Sequence, residues 1–265
     1  MLEALLALLL GLLIGSFLNV CIFRMPNDYS VVSPRSYCPG CRRPIAWYDN
    51  IPLLSFILLG GRCRECRGRI SLRYPAVEAL TGAAFFAIVY LNGPTLSALK
   101  LCTFAALAIG LIVLDLVERI LPDEFTITGV ALGLIFAVVI PFENGFAGLL
   151  VPAAWGERAA SVVEAAVGAI VAGGMLWVVG RIYLRVRRRE GLGGGDPRMV
   201  AMIGAFLGLH GALAAVLLGS ILGSVLGLSY ILLTRKDSST YELPFGSFLG
   251  FAALVIAVAQ RALWF

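Results

Sequence analysis

The chain has 265 residues, of which 60% are hydrophobic and 14% are charged, and its mean hydropathy is +0.92. Average soluble proteins are about 45–50% apolar and about 25% charged. This composition therefore excludes a soluble enzyme, a disordered chain and a small disulfide-rich secreted protein. The net charge of +5 reports topology in a membrane protein, and we expect no nucleic-acid partner. The sequence predicts an all-α integral membrane protein in contact with the lipid bilayer.

Long apolar runs predict about eight transmembrane helices, because a bilayer core about 30 Å thick requires roughly 20 apolar residues. The sixth and seventh spans form one stretch, which we divide near Leu209-His210-Gly211. No basic segment precedes the first span and no small-x-small cleavage site follows it, so we expect it to remain as an anchor. The predicted spans are 2–23, 76–91, 96–117, 125–142, 162–184, 199–213, 214–233 and 243–263.

Basic residues predict how these spans are oriented. The loop 24–75 carries nine arginines, and 18 of the 21 Lys and Arg residues lie on the same side of the eight-span arrangement. Cytoplasmic loops of membrane proteins are enriched in Lys and Arg. We therefore expect this side to be the cytoplasm and both termini to face outside.

The long loop between the first two spans contains four cysteines in two C-x2-C pairs, with 21 residues between the pairs. Two close pairs on a hairpin can supply the four corners of a tetrahedral Zn²⁺ site. Two disulfides are the alternative, but a cytoplasmic loop is in a reducing compartment. The sequence therefore predicts a cytoplasmic zinc-binding loop. Its ligands would be Cys38, Cys41, Cys63 and Cys66.

Two aspartates are predicted to lie at the same cytoplasmic edge of the membrane. Asp115 is near the end of the third span, and Asp196 ends the segment Gly191-Leu-Gly-Gly-Gly-Asp196 before the sixth. An ionisable group at this depth is costly and normally faces a cavity or a partner. Two carboxylates brought close share a proton, so one can act as base while the other acts as acid. For Asp196, a helix N-cap followed by Pro197 is the alternative interpretation.

Residues beside these aspartates are candidate substrate contacts. The glycines leave room for an extended backbone, because they carry no Cβ atom. The acids near the third span would suit a basic substrate segment, although a solvated loop is the alternative. One of them, Asp123, follows Pro122 and is also predicted to cap the fourth span. The candidates are Gly193, Gly194, Gly195, Glu118, Asp123 and Glu124.

With these motifs, the sequence resembles the type IV prepilin peptidases over about residues 11–250. The resemblance rests on several segments that are specific only in combination. They are Gly15-Ser-Phe-Leu-Asn-Val, the two C-x2-C pairs, Asp49-Asn-Ile-Pro52 with Ser71-Leu-Arg-Tyr-Pro-Ala-Val-Glu78, Asp115 with Leu121-Pro-Asp123, Gly193-Gly-Gly-Asp196 and Pro244-Phe-Gly246.

The resemblance implies a bifunctional inner-membrane enzyme. Such an enzyme cuts the basic leader from prepilins and pseudopilins, and then methylates the new N-terminal residue with S-adenosylmethionine. It implies that Asp115 and Asp196 are an aspartic protease pair of the GxGD type and that the cysteine site is a structural zinc site. The methyltransferase residues are poorly defined by motif, and the candidates are Asp49, Asn50 and Gly61.

We expect three regions along the chain. Residues 1–92 would hold the anchor helix, the zinc loop and the second helix, and would be associated with methyl transfer. Residues 96–233 would form the peptidase core, and residues 234–265 the last transmembrane helix. The tract 143–161 is longer than expected, and we predict an interfacial helix there on the outer face.

Two alternative functions remain open at this point. The first is a peptidase that lacks methyltransferase activity. The second is a transporter or scaffold, in which the glycine-rich turn would be a hinge and the zinc loop a docking surface, since intramembrane acids also mark ion pathways. The lack of internal sequence repeats argues against the common transporter designs.

Overall fold

A computed structural model describes residues 1–142, 145–152, 155–188, 192–234 and 243–262 of the protein. Within these ranges the regular structure is helical, and extended pairing is limited to two isolated bridges in the cysteine loop. The prediction of an all-α protein is confirmed for this part of the chain. The helices are α1 Leu2–Arg24, α2 Leu54–Leu58, α3 Arg73–Asn92, α4 Leu96–Glu118, α5 Asp123–Val139, α6 Ala147–Leu150, α7 Gly156–Val167, α8 Gly173–Arg187, α9 Asp196–Thr234 and α10 Phe245–Ala262.

Among the described residues, five helical stretches are long and apolar enough to cross a bilayer, so the protein is a multi-pass membrane protein. They comprise α1, α3, α4, α9 and the continuous stretch from α7 to α8, which one π-helical turn joins. Phe245–Gln260 forms a shorter apolar helix. The count of eight spans, the three-region division and the sidedness of the loop remain predictions.

The predicted boundary between the sixth and seventh spans lies within α9. The predicted sixth and seventh spans form one helical stretch with a break at Gly208, where φ is 72° and ψ is 178°. The break therefore precedes the predicted division at Leu209-His210-Gly211. Glycine adopts such a φ at no steric cost, but hydropathy carries no information about a single backbone angle.

The predicted outer tract 143–161 contains α6 and the first residues of α7. Residues 143, 144, 153 and 154 of this tract lie outside the described residues. Arg235 and Lys236, two of the 18 basic residues predicted to lie on the cytoplasmic side, are also outside the described residues. An interfacial location for the tract remains a prediction.

The chain divides into two compact units, Met1–Gly110 and Leu111–Phe265. In the first unit, α1 packs along α3 through glycines. A Cβ atom on Gly11 would lie 2.8 Å from the Cα of Gly82, and one on Gly15 would lie 2.7 Å from the Cα of Glu78. Small residues allow the backbones of membrane helices to approach closely, and this approach stabilises the pair.

In the second unit, α9 is the central helix, and α5, α7, α8 and α10 pack against it. The segment of α9 before the break is more buried than the segment after it. Four of its large side chains are at most 1% exposed: Met199, Met202, Ile203 and Phe206. Close packing of this segment makes it a rigid support for Asp196 at its first position.

A buried glutamate, Glu164 of α7, lies at the break in α9. Its Oε1 accepts a hydrogen bond from the N–H of Leu209 at 3.0 Å, and its Oε2 accepts one from the N–H of Ala147 at 2.9 Å. Ala147 and Leu209 are each the first residue of a helical segment, where backbone N–H groups lack an acceptor within the helix. The carboxylate of Glu164 therefore caps two helix starts, although the sequence analysis did not single it out.

Candidate active site and metal centre

Asp115 lies in the last turn of α4 and is 6% exposed. Its Oδ2 atom accepts two hydrogen bonds from Ser247, one from the backbone N–H at 2.6 Å and one from Oγ at 2.7 Å. Ser247 is in the first turn of α10, and its backbone N–H also donates to the carbonyl of Pro244 at 3.2 Å. The two bonds to Oδ2 fix the orientation of the Asp115 carboxylate.

Asp196 is the first residue of α9 and is also 6% exposed. Its Oδ2 atom accepts a hydrogen bond at 3.0 Å from the N–H of Gly193, which precedes the helix. The N–H of Met199 donates to the carbonyl of Gly195 at 2.9 Å, so Gly195 occupies the N-cap position. The carboxylate of Asp196 is therefore held by the glycine loop and does not cap α9.

Leu121 connects the surroundings of the two aspartates. A Cβ atom on Gly195 would lie 2.6 Å from the Cβ of Leu121, and one on Gly246 would lie 3.0 Å from the Cδ1 of Leu121 and 3.2 Å from the Cγ of Asp115. The carboxylates of Asp115 and Asp196 are close enough to interact electrostatically. The structure thus brings together the two aspartates that the sequence analysis selected.

A second contact, one turn along α10, joins the same helices. A Cβ atom on Gly250 would lie 2.6 Å from Cγ1 of Ile112 on α4 and 2.9 Å from Cε of Met199 on α9. Side chains at positions three apart lie on one face of a helix. The faces that carry Asp115 and Asp196 therefore meet on the glycines of α10.

The candidate substrate contacts differ in their surroundings. Gly194 is exposed and has no atom within 4 Å of an ideal Cβ position. Glu118 and Glu124 are also exposed. Asp123 is the first residue of α5 and forms an ion pair with Arg198, with Pro122 at the N-cap position. The ion pair reduces the negative charge that Asp123 offers to a basic substrate.

The four cysteines of the loop come together in the first unit. All four are free thiols, and their sulfur atoms lie within 4.8 Å of one another. Zn–S bonds of about 2.3 Å in a tetrahedron place the sulfurs about 3.8 Å apart, and the Sγ atoms of Cys38 and Cys66 are separated by 3.8 Å. The cluster can therefore bind a metal ion such as zinc.

The two cysteine pairs have the same backbone conformation. The N–H of Arg42 donates to the carbonyl of Cys38 at 2.8 Å, and the N–H of Arg67 donates to the carbonyl of Cys63 at 3.0 Å. Both arginines have a positive φ, 57° and 58°. Two equivalent turns that each present a pair of thiols are the arrangement a four-thiolate site requires.

Charged side chains bind the loop together around this cluster. The backbone N–H of Cys66 donates a hydrogen bond to the sulfur of Cys63 and lowers the pKa of Cys63 to about 7, whereas the pKa of Cys66 is raised to about 11. Arg64 donates to both carboxylate oxygens of Asp49, at 2.8 Å and 2.6 Å, and these bonds lower the pKa of Asp49. Asp49 thus ties the preceding segment to the second cysteine pair.

The methyltransferase candidates differ in their contacts. Asp49 bonds to Arg64, and Gly61 has a φ of 66° and packs against the ring of Phe56. Asn50 is exposed and lines a cavity beside the end of α1.

Ser247 and Leu121 are contacts of the acid pair that the sequence analysis missed. Both lie within or beside segments that carried the resemblance, Pro244-Phe-Gly246 and Leu121-Pro-Asp123. Serine next to a glycine at a helix start is a weak signal by itself, because the same residue type is common at helix termini.

Two known family domains match this sequence. Residues 9–92 match the bacterial peptidase A24 N-terminal domain, and residues 102–228 match the type IV leader peptidase family. The chain is 30% identical to a prepilin leader peptidase/N-methyltransferase of Neisseria gonorrhoeae, over 98% of this chain and 91% of that protein. The chain belongs to the type IV leader peptidase family.

Other members of this family are similar over less of their length or less of this chain. A prepilin leader peptidase/N-methyltransferase of Myxococcus xanthus is 39% identical over 88% of this chain, and the match spans 64% of that protein. One of Klebsiella pneumoniae is 37% identical over 79% of this chain and 87% of that protein. No solved structure matches the chain.

Proposed function

We propose that this protein is an aspartic endopeptidase that removes the leader from prepilins and pseudopilins and then methylates the new N-terminal residue. The observation that carries the proposal is the pair of buried aspartates, Asp115 and Asp196, held together in a chain of the type IV leader peptidase family. The names of its relatives and the match of its N-terminal region support the methyltransferase half.

The two aspartates would divide the work of hydrolysis. The ionised carboxylate takes a proton from a water molecule, whose oxygen attacks the scissile carbonyl carbon, while the protonated carboxyl donates its proton to the carbonyl oxygen. The tetrahedral intermediate then collapses and the C–N bond breaks. The carboxyl that took the proton from water gives it to the leaving nitrogen, and the other carboxylate takes back the proton that it gave to the carbonyl oxygen. The hydrogen bonds from Ser247 use Oδ2 of Asp115, so Oδ1 is the atom that would face the water.

The substrate would meet the enzyme as an extended strand at the cytoplasmic membrane edge, because a helical peptide bond is closed to attack. The open side of Gly194 supports this, since no protein atom occupies the space where a side chain would stand. Glu118 and Glu124 would attract the basic leader, and Asp123 contributes less because Arg198 pairs with it.

The cysteine cluster would hold one structural Zn²⁺ through Cys38, Cys41, Cys63 and Cys66. Metal binding supplies folding free energy to a segment with little apolar core, which fits a loop whose residues are mostly exposed. S-adenosylmethionine, when bound, would supply the methyl group to the new amine, which loses a proton as the donor becomes a thioether. We place the loop and the aspartates on the cytoplasmic side of the inner membrane, with both termini outside.

The test is incubation of the purified protein with a synthetic prepilin, followed by mass spectrometry of both fragments. Wild-type protein should release the leader and add one methyl group to the mature fragment. Asp115→Asn and Asp196→Asn should each abolish cleavage, because each removes a carboxylate and keeps its shape.

Asp123→Asn is the matched control, since it removes a carboxylate in an exposed ion pair worth about 0–1 kcal/mol. It should leave substantial activity. Cleavage at the wild-type rate by Asp115→Asn or Asp196→Asn would remove that residue from the mechanism.

A further inference from the structure

In the first unit, a cavity of about 410 Å³ lies between the last turns of α1 and the loop that follows. Ligand pockets are commonly about 300–1,000 Å³ in volume, so this cavity is large enough for a small molecule. We propose that it binds S-adenosylmethionine, the methyl donor. This inference rests on the methyltransferase half of the proposed function.

A buried cation in the cavity wall points to an anionic group on the ligand. Arg24 is 4% exposed, and its recorded hydrogen bonds all go to backbone carbonyls, those of Ser30, Pro34 and Arg35. No carboxylate is among the described residues that line the cavity. A buried charge without a counter-charge is costly, and the carboxylate of the methyl donor would offset it.

The other walls suit the remaining parts of the same molecule. Trp47 lines the cavity and is 72% exposed, so its ring is available to stack on a purine or to face a sulfonium cation. Asn50 and Ser16 supply hydrogen-bonding groups, and Val31 and Ile45 supply apolar surface. An aromatic ring, a polar amide and a cation in one cavity match a purine nucleoside that carries an amino acid.

The wall that carries Asn50 is held in a strained conformation. Leu53 has a φ of 58° and a ψ of −48°, and the N–H of Leu54 donates to the carbonyl of Pro52 at 2.6 Å across it. A non-glycine residue in this region costs free energy and persists only where its surroundings fix it. The carboxylate of Glu78, on α3, accepts the N–H of Leu53 at 2.9 Å and fixes the turn.

A second set of bonds closes the same segment. Ser55 donates from Oγ to the carbonyl of Tyr48 at 2.9 Å and accepts the N–H of Ile51 at 3.1 Å. Residues 47–55 therefore form a preorganised loop, and preorganisation lowers the cost of ligand binding.

The experiment measures the Kd of S-adenosylhomocysteine, the demethylated product, by calorimetry on the purified full-length protein. Trp47→Leu and Asn50→Ala should each raise the Kd by about 10-fold, the loss expected for one stacking or hydrogen-bonding group. Tyr90→Leu is the control, because Tyr90 of α3 is an exposed aromatic residue of the same unit that does not line the cavity. It should leave the Kd unchanged, and all three variants should still release the leader from a synthetic prepilin.

The outcomes separate this inference from the proposed function. If the wild type methylates the mature fragment but Trp47→Leu and Asn50→Ala bind S-adenosylhomocysteine normally, the donor binds elsewhere and the inference is overturned. The inference is also overturned if the two variants lose binding of phosphatidylglycerol in mixed micelles instead, since the cavity would then be a lipid site. If the wild type cleaves but neither methylates nor binds S-adenosylhomocysteine, the methyltransferase half of the proposed function fails, and this inference with it.

Discussion

Replacement of Gly195 by alanine tests whether Leu121 sets the distance between the two aspartates. The new Cβ atom would lie 2.6 Å from the Cβ of Leu121 and 3.1 Å from its carbonyl oxygen. Carbon atoms pack best at about 3.5–4.0 Å, so the loop and Leu121 must separate by about 0.9 Å. Overpacking of this kind costs about 1–3 kcal/mol, and a shift of about 1 Å in a catalytic group lowers the rate by about 100-fold.

The assay compares kcat/KM for prepilin cleavage and the thermal midpoint in detergent. Gly195→Ala should lose about 100-fold in kcat/KM and lower the midpoint. Gly174→Ala is the control, because a Cβ atom there meets nothing within 4 Å, and it should cleave normally. The Cβ atom of Gly194→Ala would also have no protein atom within 4 Å. A loss of activity in this variant without a change in thermal midpoint would therefore indicate a clash between the new methyl group and the substrate. Wild-type cleavage and midpoint in Gly195→Ala would refute the argument about Leu121.

Three further substitutions test the supporting contacts. Ser247→Ala removes one of two donors to the first catalytic candidate and should lower kcat/KM by about 10-fold, since about 1.4 kcal/mol is lost; an unchanged value would make the serine irrelevant to cleavage. Cys63→Ser should reduce bound zinc from one equivalent, measured by elemental analysis, whereas Cys102→Ser, buried in α4, should keep the metal. Glu164→Gln removes one of the two acceptor oxygens and should lower the free energy of unfolding by about 1–3 kcal/mol, measured by denaturant titration. Glu157→Gln, at an exposed position of the same helix, should leave the free energy of unfolding unchanged.

The helices were predictable where one local property decides them. An apolar run of bilayer length must satisfy its own backbone hydrogen bonds, so α1 and α4 begin and end within a few residues of the predicted spans. The gathering of the four cysteines was predictable for a similar reason, because the short spacing within each pair constrains the loop.

Contacts between distant segments were not predictable from the sequence. Ser247 bonds to Asp115 across 132 positions, and Glu164 bonds to Leu209 across 45. Neither hydropathy nor a motif records which two helices will pack together. The break at Gly208 lies next to the predicted division of the sixth and seventh spans, but the acceptor that another helix supplies to Leu209 was not predictable.

The break in α9 gives α10 a mechanical role. The break at Gly208 divides α9 into two helical segments that could change their angle, and Asp196 is the first residue of the first segment. On α10, Gly250 contacts Met199 of the first segment of α9. Leu249 and Phe248 contact Gly219 and Gly223 of the second segment. Because α10 contacts both segments of α9, it holds them at a fixed angle across the break. We therefore expect loss of α10 to change the separation of Asp115 and Asp196, although neither aspartate belongs to α10.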